Sequence, residues 1–419
     1  MLNIGQLHRK EYELEQDRSL FPVVIAEAPG RVNFLGEIAP SLDGEPESGI
    51  FLSTVIDRFI HVAVSARKDN SFRFFAADLG ERKRSTLANL KYRREDRWAN
   101  YIKPAIFLFS DLGYSMKGLN FSLCGDIPQS IGLASSTAIE IAAATALKSL
   151  LRVQISDMDF AQKLKKAHEA IFGNNAALAD YLVGVFARKD HFLIVDSLES
   201  EVKLIKSPFA SFRFLIVDSR VPRMGTETEI AARKTDIFKG LELLSQKRDG
   251  AGFKDFASND LLEVLGSFPE QIRRRSMHIV GEIHRVSDAA DALERADLAS
   301  LAKIIYHSHE SLRDLYEISC PEIDWLVKRA QEIEGAAGSR MTGVGFGGCT
   351  YTIIRRELVE EYKRRLEDYE RIFGFRPAIY DVKLATRARV IPETAAPRSA
   401  KAAASKPAKR RAYANTANK

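Results

Sequence analysis

The chain has 419 residues, 45% hydrophobic and 28% charged, with a net charge of +6. Those proportions exclude a disordered or fibrous chain and give enough length for two domains with proper cores. The positive excess is not a nucleic-acid footprint for the body either. The segment from Thr386 onward carries +8, nine Lys and Arg against Glu393, and leaves −2 for everything before it.

The opening stretch, MLNIGQLHRKEYELEQ, is a charged helical pattern without the apolar centre of a signal peptide. No apolar run is long enough to span a bilayer, so a cytoplasmic protein without membrane contact is expected. Next, VVIAEAPGRVNFLGE alternates apolar and polar residues and breaks at Pro29 and Gly30, as a strand, turn and strand would. After the polar loop APSLDGEPES, the runs GIFLSTVIDRFIHVAVSAR and SFRFFAADL read as strands, and DRWANYIKPAIFLFSDLG as an amphipathic helix. QKLKKAHEAIFG and NNAALADYLVGVFARK read as two helices joined at Gly173, with Asn174 or Asn175 as a cap. HFLIVDS and FRFLIVDS are near-continuous apolar strands, and the pattern from Glu227 to Ala337 is almost wholly helical. The chain closes with a Gly-rich turn, the strand TYTIIR, the helix VEEYKRRLEDYERIFG and the strand AIYDVKL. Strands and helices in this order make an α/β (α+β) protein. The tail 386–419 is rich in Ala, Lys, Pro and Ser without apolar periodicity, and is expected to be disordered. Cys124, Cys320 and Cys349 lie far apart without CxxC spacing and read as reduced packing residues.

The stretch GDIPQSIGLASSTAIE places a Gly/Ser turn between a strand and an Ala-rich helix. The first N–H groups of a helix lack intrahelical partners and carry the positive end of its dipole, and Ser135, Ser136 and Thr137 add hydroxyls. Phosphate fits there without a lysine, although a plain helix cap fits the same letters. No GxxxxGK[ST] string occurs. The cluster GVGFGG, Gly343 to Gly348, satisfies GxGxxG formally. It is read as a turn from helix to strand, not from strand to helix, so the dinucleotide reading fails.

Three strings together resemble the galactokinase branch of the GHMP small-molecule kinases, which also include homoserine, mevalonate and phosphomevalonate kinases. APGRVNFLGE is similar to the family's APGRVNLIGEH, GDIPQSIGLASSTAIE to GDVPxGxGLSSSAALE, and GSRMTGVGFGGCT to GSRMTGxGFGGCT. The segment SLRDLYEISCPEIDWLVKRA resembles the family between the last two, and the likeness runs from about Phe21 to Leu384. It implies a two-domain fold, with an N-terminal half like ribosomal protein S5 domain 2 and a ferredoxin-like C-terminal half. ATP and Mg²⁺ would lie in the cleft between them. The expected organisation is a helix over 1–20, an N-terminal kinase domain over 21–205, a C-terminal one over 206–385 and the basic tail over 386–419.

The resemblance also implies roles. Arg31 matches the arginine of the first motif, and Asp180, eleven residues before His191, matches the catalytic aspartate. Ser130, Ile131, Gly132, Leu133, Ala134, Ser135 and Ser136, with Gly343 and Gly345, would bind ATP. Ser136 would also hold the metal, and the family's metal glutamate aligns with His168, leaving Glu169 one position on as the candidate. Glu37, Asp180 and Asp43 would contact the sugar. Phosphoryl transfer asks for such groups independently: a fixed guanidinium for charge on the equatorial oxygens and a carboxylate for the attacking hydroxyl. An aspartate on a helix is usually a solvated surface residue, but Asp180 lies in the apolar run AALADYLVGVF, where an unpaired carboxylate is costly.

The departures concern sugar recognition. Ile38 and Pro40 stand where the family has a histidine and an aspartate, Ile230 where it has a tyrosine, and Ser130 and Ala134 alter the phosphate loop. Asp43, Glu45, Glu47 and Glu229 are candidates to replace the lost hydroxyl contacts. The expectation is therefore an ATP-dependent sugar kinase acting on the anomeric hydroxyl of galactose, handled poorly, or of a related sugar. A kinase for another sugar or polyol and a catalytically silent sugar sensor are the alternatives. A monomer is expected.

Overall fold

In the computed structural model, which describes residues 3–14, 22–42, 48–222, 225–247, 249–257 and 265–393, the twelve-residue strand β1 (Val24–Leu35) is the pivot. It pairs antiparallel with β2 (Ile50–Ala66) along almost its whole length. It is one strand, not the strand, turn and strand expected, because the chain absorbs Pro29 and Gly30 in a register shift. A missing N–H is tolerated at such an irregularity. β2 pairs first with β6 (His191–Asp196) and then with β5 (Leu119–Gly125). β3 (Ser71–Ala76) lies parallel to β5, β4 (Glu81–Thr86) forms the edge beyond it, and β7 (Glu201–Lys206) pairs with β6.

Helices α2 (Lys103–Asp111), α3 (Ser135–Leu150), α4 (Asp157–Phe172) and α5 (Leu178–Phe186) pack together beside this sheet, with α3 against β1 and β2. The run before α2 is a 3-10 segment, Arg94–Ile102, kinked at Arg97, so the expected single amphipathic helix is two pieces. α4 stops at Gly173, whose positive φ of 71° ends the helix as expected. α5 starts after Ala177 without a side-chain cap, so neither Asn174 nor Asn175 plays that part. α1 (Ile4–Glu11) contacts β2 and β5. From it His8 reaches Ser122 at 2.9 Å and Ser65 at 2.8 Å, and burial pushes its pKa down to about 3.

The second sheet has the order β11-β8-β10-β9, formed by β8 (Phe212–Asp218), β9 (Ala336–Thr342), β10 (Cys349–Arg355) and β11 (Ala378–Val382), all antiparallel. The long helical stretch between β8 and β9 supplies α6 (Glu227–Ser245), α7 (Glu270–Glu294), α8 (Leu298–Ser311) and α9 (Pro321–Gln331). Two short helices, α10 (Val359–Arg365) and α11 (Asp368–Phe373), replace the single one expected before β11. The glycine cluster joins β9 to β10, so a strand and not a helix precedes it, and the segment is a hairpin turn. It opens no helix, and the dinucleotide reading still fails.

One continuous core joins the two sheets: Phe34 and Phe192 of the first pack in the same cluster as Tyr351 and Ile353 of the second. Tyr351 donates to the carbonyl of Phe34 at 2.8 Å, and Thr342 to that of Asn33 at 2.9 Å. The chain then returns to the first sheet. β12 (Arg389–Ile391) pairs with β1 over Ile25 to Glu27, and Glu393 forms an ion pair with the buried Arg9 of α1. These residues belong to the segment that composition assigned to a disordered tail; the rest of that segment, 394–419, lies outside the described residues. None of the three cysteines is paired with another, and burial pushes the Cys124 and Cys320 thiols up to about 12. Among the described residues no helix is long and apolar enough to cross a membrane.

Candidate active site

The Gly/Ser turn begins α3 in an unusual way. Its N-cap, Ala134, has φ 55° and offers no side-chain cap, so the first N–H groups of a sixteen-residue helix have no partner of that kind. Ser135, Ser136 and Thr137 are half-buried beside them. Ser130 also has a positive φ, 63°, which explains why a glycine is the easier residue at that position. Gly132 is required by contact: a Cβ there would lie 2.8 Å from Gly343 Cα, at a φ of 97°. The two glycine-bearing turns therefore touch backbone to backbone. Cys349 reinforces the contact by donating to the carbonyl of Ile131 at 3.0 Å. Farther round the hairpin, Gly345 packs against Ile318, and a Cβ there would come within 2.7 Å of it.

Arg31 joins this turn to the next element. Its backbone N–H donates to Leu133 at 3.0 Å, within the turn. Its Nη2 lies 2.6 Å from Oδ1 of Asp180, in the first turn of α5. The positive end of α5 favours a carboxylate there. The pair is close but not aligned as a hydrogen bond. Arg31 Nε and Nη1 and Asp180 Oδ1 remain buried without a hydrogen-bond partner, while the side chains are 16% and 22% exposed. Unpaired polar atoms at a half-open position fit an anionic or hydroxylated ligand.

The metal candidates fare differently. Glu169 is 3.0 Å from Lys165 Nζ and accepts from the Ala176 N–H at 3.4 Å. His168 is engaged by Glu140 at 2.8 Å and Asn174 at 3.2 Å, and stacks on Phe172. Glu140 also accepts from Tyr181 at 2.7 Å. Burial pushes the Glu140 carboxyl up against the opposing pull of His168. For His168, burial favours the neutral ring, yet Glu140 outweighs it and raises the pKa. Among the described residues no group of three or more His, Cys, Asp or Glu converges as a metal site.

Of one buried charged cluster, sequence reasoning assigned a role to Glu37 alone. Glu37, following β1, meets Arg340 of β9 at 3.1 Å, and the same Nη2 meets Glu282 of α7 at 3.1 Å. The signal for Arg340 was its place in GSRMTG, and for Glu140 an acid inside an otherwise apolar helix. Of the sugar candidates, Ile38 forms a strand bridge with Gly49, and Ser41 bridges to Gly252. Asp43, Glu45 and Glu47 lie outside the described residues. Ile230 and Glu229 sit on α6, where Glu229 pairs with Arg233. A separate cavity of about 380 Å³ on the β3–β4 hairpin, lined by Arg73, Arg84, Arg93 and Asp96, contains none of these groups.

Known proteins are similar to this chain in sequence and fold. Residues 100–188 match the GHMP kinases N terminal domain, and residues 289–371 the GHMP kinases C terminal model. A Treponema pallidum protein provisionally named a galactokinase is 38% identical over 396 residues, covering 93% of this chain and 97% of that one. A galactokinase of Roseiflexus is 32% identical over 382 residues, covering 91% and 95%. The chain belongs to the galactokinase family of GHMP kinases. The crystal structure of Lactococcus lactis galactokinase complexed with galactose matches the fold with a TM-score of 0.83 at 23% identity, covering 91% of this chain and 98% of that one. A mevalonate kinase structure matches with a TM-score of 0.59 at 17% identity, over 87% and 99%. Within this GHMP kinase fold, the N-terminal family model takes in the Gly/Ser turn and Asp180, and the C-terminal one takes in Arg340 and the glycine hairpin.

Proposed function

We propose that this protein is an ATP-dependent galactokinase, transferring the γ-phosphate of ATP to the anomeric hydroxyl of galactose. The observation that carries the reading is Arg31, whose backbone bonds to the phosphate-type turn while its guanidinium lies 2.6 Å from Asp180. In this reading the uncapped start of α3, with Ser135 and Ser136, receives the phosphates of ATP, and the turns at Ser130–Ala134 and Gly343–Gly345 wall the nucleotide site. Asp180 orients the attacking hydroxyl and accepts its proton. Arg31 balances the negative charge that develops on the transferred group. Mg²⁺ would enter with the nucleotide, with the Ser136 hydroxyl as its protein ligand, and would neutralise phosphate charge. Glu169, whose Oε1 meets Lys165 and the Ala176 N–H, would join through its other oxygen.

Glu37, two residues past the end of β1, is the proposed sugar contact. Domain limits near 205 and 385, a cytoplasmic location and a monomeric state belong to the same proposal. Retention of the close Arg31–Asp180 pair opposes the reading as a silent sensor. Measuring ATP consumption against a panel of free sugars tests the proposal. Galactose should give kcat/KM at or above ~10⁴ M⁻¹s⁻¹, the lower end of the common enzyme range. Turnover confined to another sugar would move the acceptor assignment to Ile38, Pro40 and Ile230, and no turnover with any sugar would end it.

A further inference from the structure

Glu37 is held more firmly than a loop residue at a strand end needs to be. The backbone before it is fixed from both sides. Glu282 Oε1 accepts from the Gly36 N–H at 3.0 Å, and Asn33 donates to the Gly36 carbonyl at 2.8 Å. Gly36 has φ 97°, and a Cβ there would come within 2.1 Å of the Ile50 carbonyl, so only glycine fits this close approach. The carboxylate itself receives Arg340, whose side chain is 1% exposed.

Arg340 is in turn locked. Its Nε donates to Ser308 of α8 at 2.7 Å, its Nη1 to the Met341 carbonyl at 2.9 Å, and its Nη2 is shared between Glu37 and Glu282. Ser308 donates back to Glu282, and Arg285 completes the set at 2.7 Å from Glu282. Every arm of the guanidinium is spent, so its direction toward Glu37 is set by α7 and α8, elements of the C-terminal half. Glu37 meanwhile lies within the field of Arg31.

We propose that Arg340, clamped by Glu282 and Ser308, is a positioning residue that fixes the Glu37 carboxylate for the sugar, so that the C-terminal half governs acceptor affinity. This rests on the galactokinase reading for the identity of the ligand. The charges facing Glu37 are Arg340 from β9, Glu282 from α7 and Arg31 from β1, with Arg285 and the buried His278 behind Glu282. Two carboxylates share one guanidinium nitrogen, and the second cation goes to Glu282 alone. Burial by itself would raise both carboxyls. Arg340 and Arg285 together carry Glu282 well below the usual range, while Glu37 is left pushed up to about 7. Acceptor affinity therefore rises with pH as Glu37 ionises.

The test uses the full chain with Arg340→Met, Arg340→Lys, Ser308→Ala and Glu37→Gln. Galactose KM should rise at least about tenfold in Arg340→Met, the equivalent of one charge-assisted hydrogen bond, with KM for ATP within about twofold. Arg340→Lys should recover part of the loss. The pH inflection of galactose kcat/KM should move upward in Arg340→Met and Ser308→Ala and vanish in Glu37→Gln. An Arg340→Met protein that melts cooperatively, binds ATP normally and keeps its galactose KM and inflection overturns the proposal. Where Arg340→Met does not fold, an unchanged inflection in Ser308→Ala and Glu37→Gln overturns it equally. Calorimetric titration of galactose separates this from the activity: wild-type binding that weakens in the variants without turnover supports the positioning role while the kinase reading fails. Absence of any sugar binding by the wild type overturns both.

Discussion

Two charged corners hang from β1 and are built on opposite plans. At one, Arg31 and Asp180 form a single close contact and leave three polar atoms without hydrogen bonds at a half-open surface. At the other, Arg340, Glu282, Glu37 and Ser308 form a network in which Arg340 and Glu282 are almost fully buried and every arm of the guanidinium is used. Unsatisfied groups at a partly exposed site are available for chemistry, whereas a satisfied buried network fixes geometry. The difference teaches that the half-open pair lies within the N-terminal half of the chain, while the satisfied network ties Glu37 of that half to Glu282, Ser308 and Arg340 of the other.

Removing the central anion of the network is the strongest way to break that contrast. Glu282→Ala leaves Arg340 buried without its main counter-charge and should cost about 3–5 kcal/mol of folding stability, read as a large fall in melting temperature. The same class of change at the other corner should spare the fold. Asp180→Asn is expected to lower kcat at least ~10²-fold, the usual size of a general acid/base contribution, while melting temperature and ATP affinity stay near wild type. A mutant with near-normal turnover would remove Asp180 from the chemistry.

Acid titration sharpens the comparison further. Glu37 is pushed up from its usual 4.5 to about 7 in the folded state. Its contribution to stability is therefore fully present below pH 4.5 and lost as pH rises through 7. Against Glu37→Gln, the wild type should lose on the order of 2–3 kcal/mol across that window, measurable by urea melts at pH 4.5 and 8. A pH-independent difference would mean that Glu37 ionises normally despite its surroundings.

The smallest effect tests where the ordered chain ends. Truncation after Arg389 removes two of the three residues of β12 and the Glu393 partner of the buried Arg9, and should cost about 1–3 kcal/mol, the penalty of an unsatisfied charged donor. Truncation after Glu393 keeps both contacts and should leave the melting temperature unchanged. Equal melting temperatures for the two truncations would show that β12 and the Arg9 pair add nothing.

Much of this was legible in the chain. The helix start at Ser135, the break at Gly173, the apolar strands β6 and β8, and the candidacy of Arg31 and of Asp180 rest on local periodicity or on short motifs, and both survive without knowledge of the fold. Boundaries set by neighbours were not. β1 runs through Pro29 because β2 pairs on both sides of the irregularity, and the glycine cluster is a hairpin because β9 finds β10. β12 looks like tail until β1 offers it a partner, since three residues carry too little periodicity to register as a strand. Asp180 could be named from the family resemblance, eleven residues before His191, and its apolar neighbours make a carboxylate there conspicuous. The Arg340 clamp could not, because Glu37, Glu282, Ser308 and Arg340 are spread across 303 positions of the chain and meet only when the two sheets close on one core. A sequence fixes which charges exist. Only the tertiary structure decides which of them share a low-dielectric interior, and there each charge must find its partner.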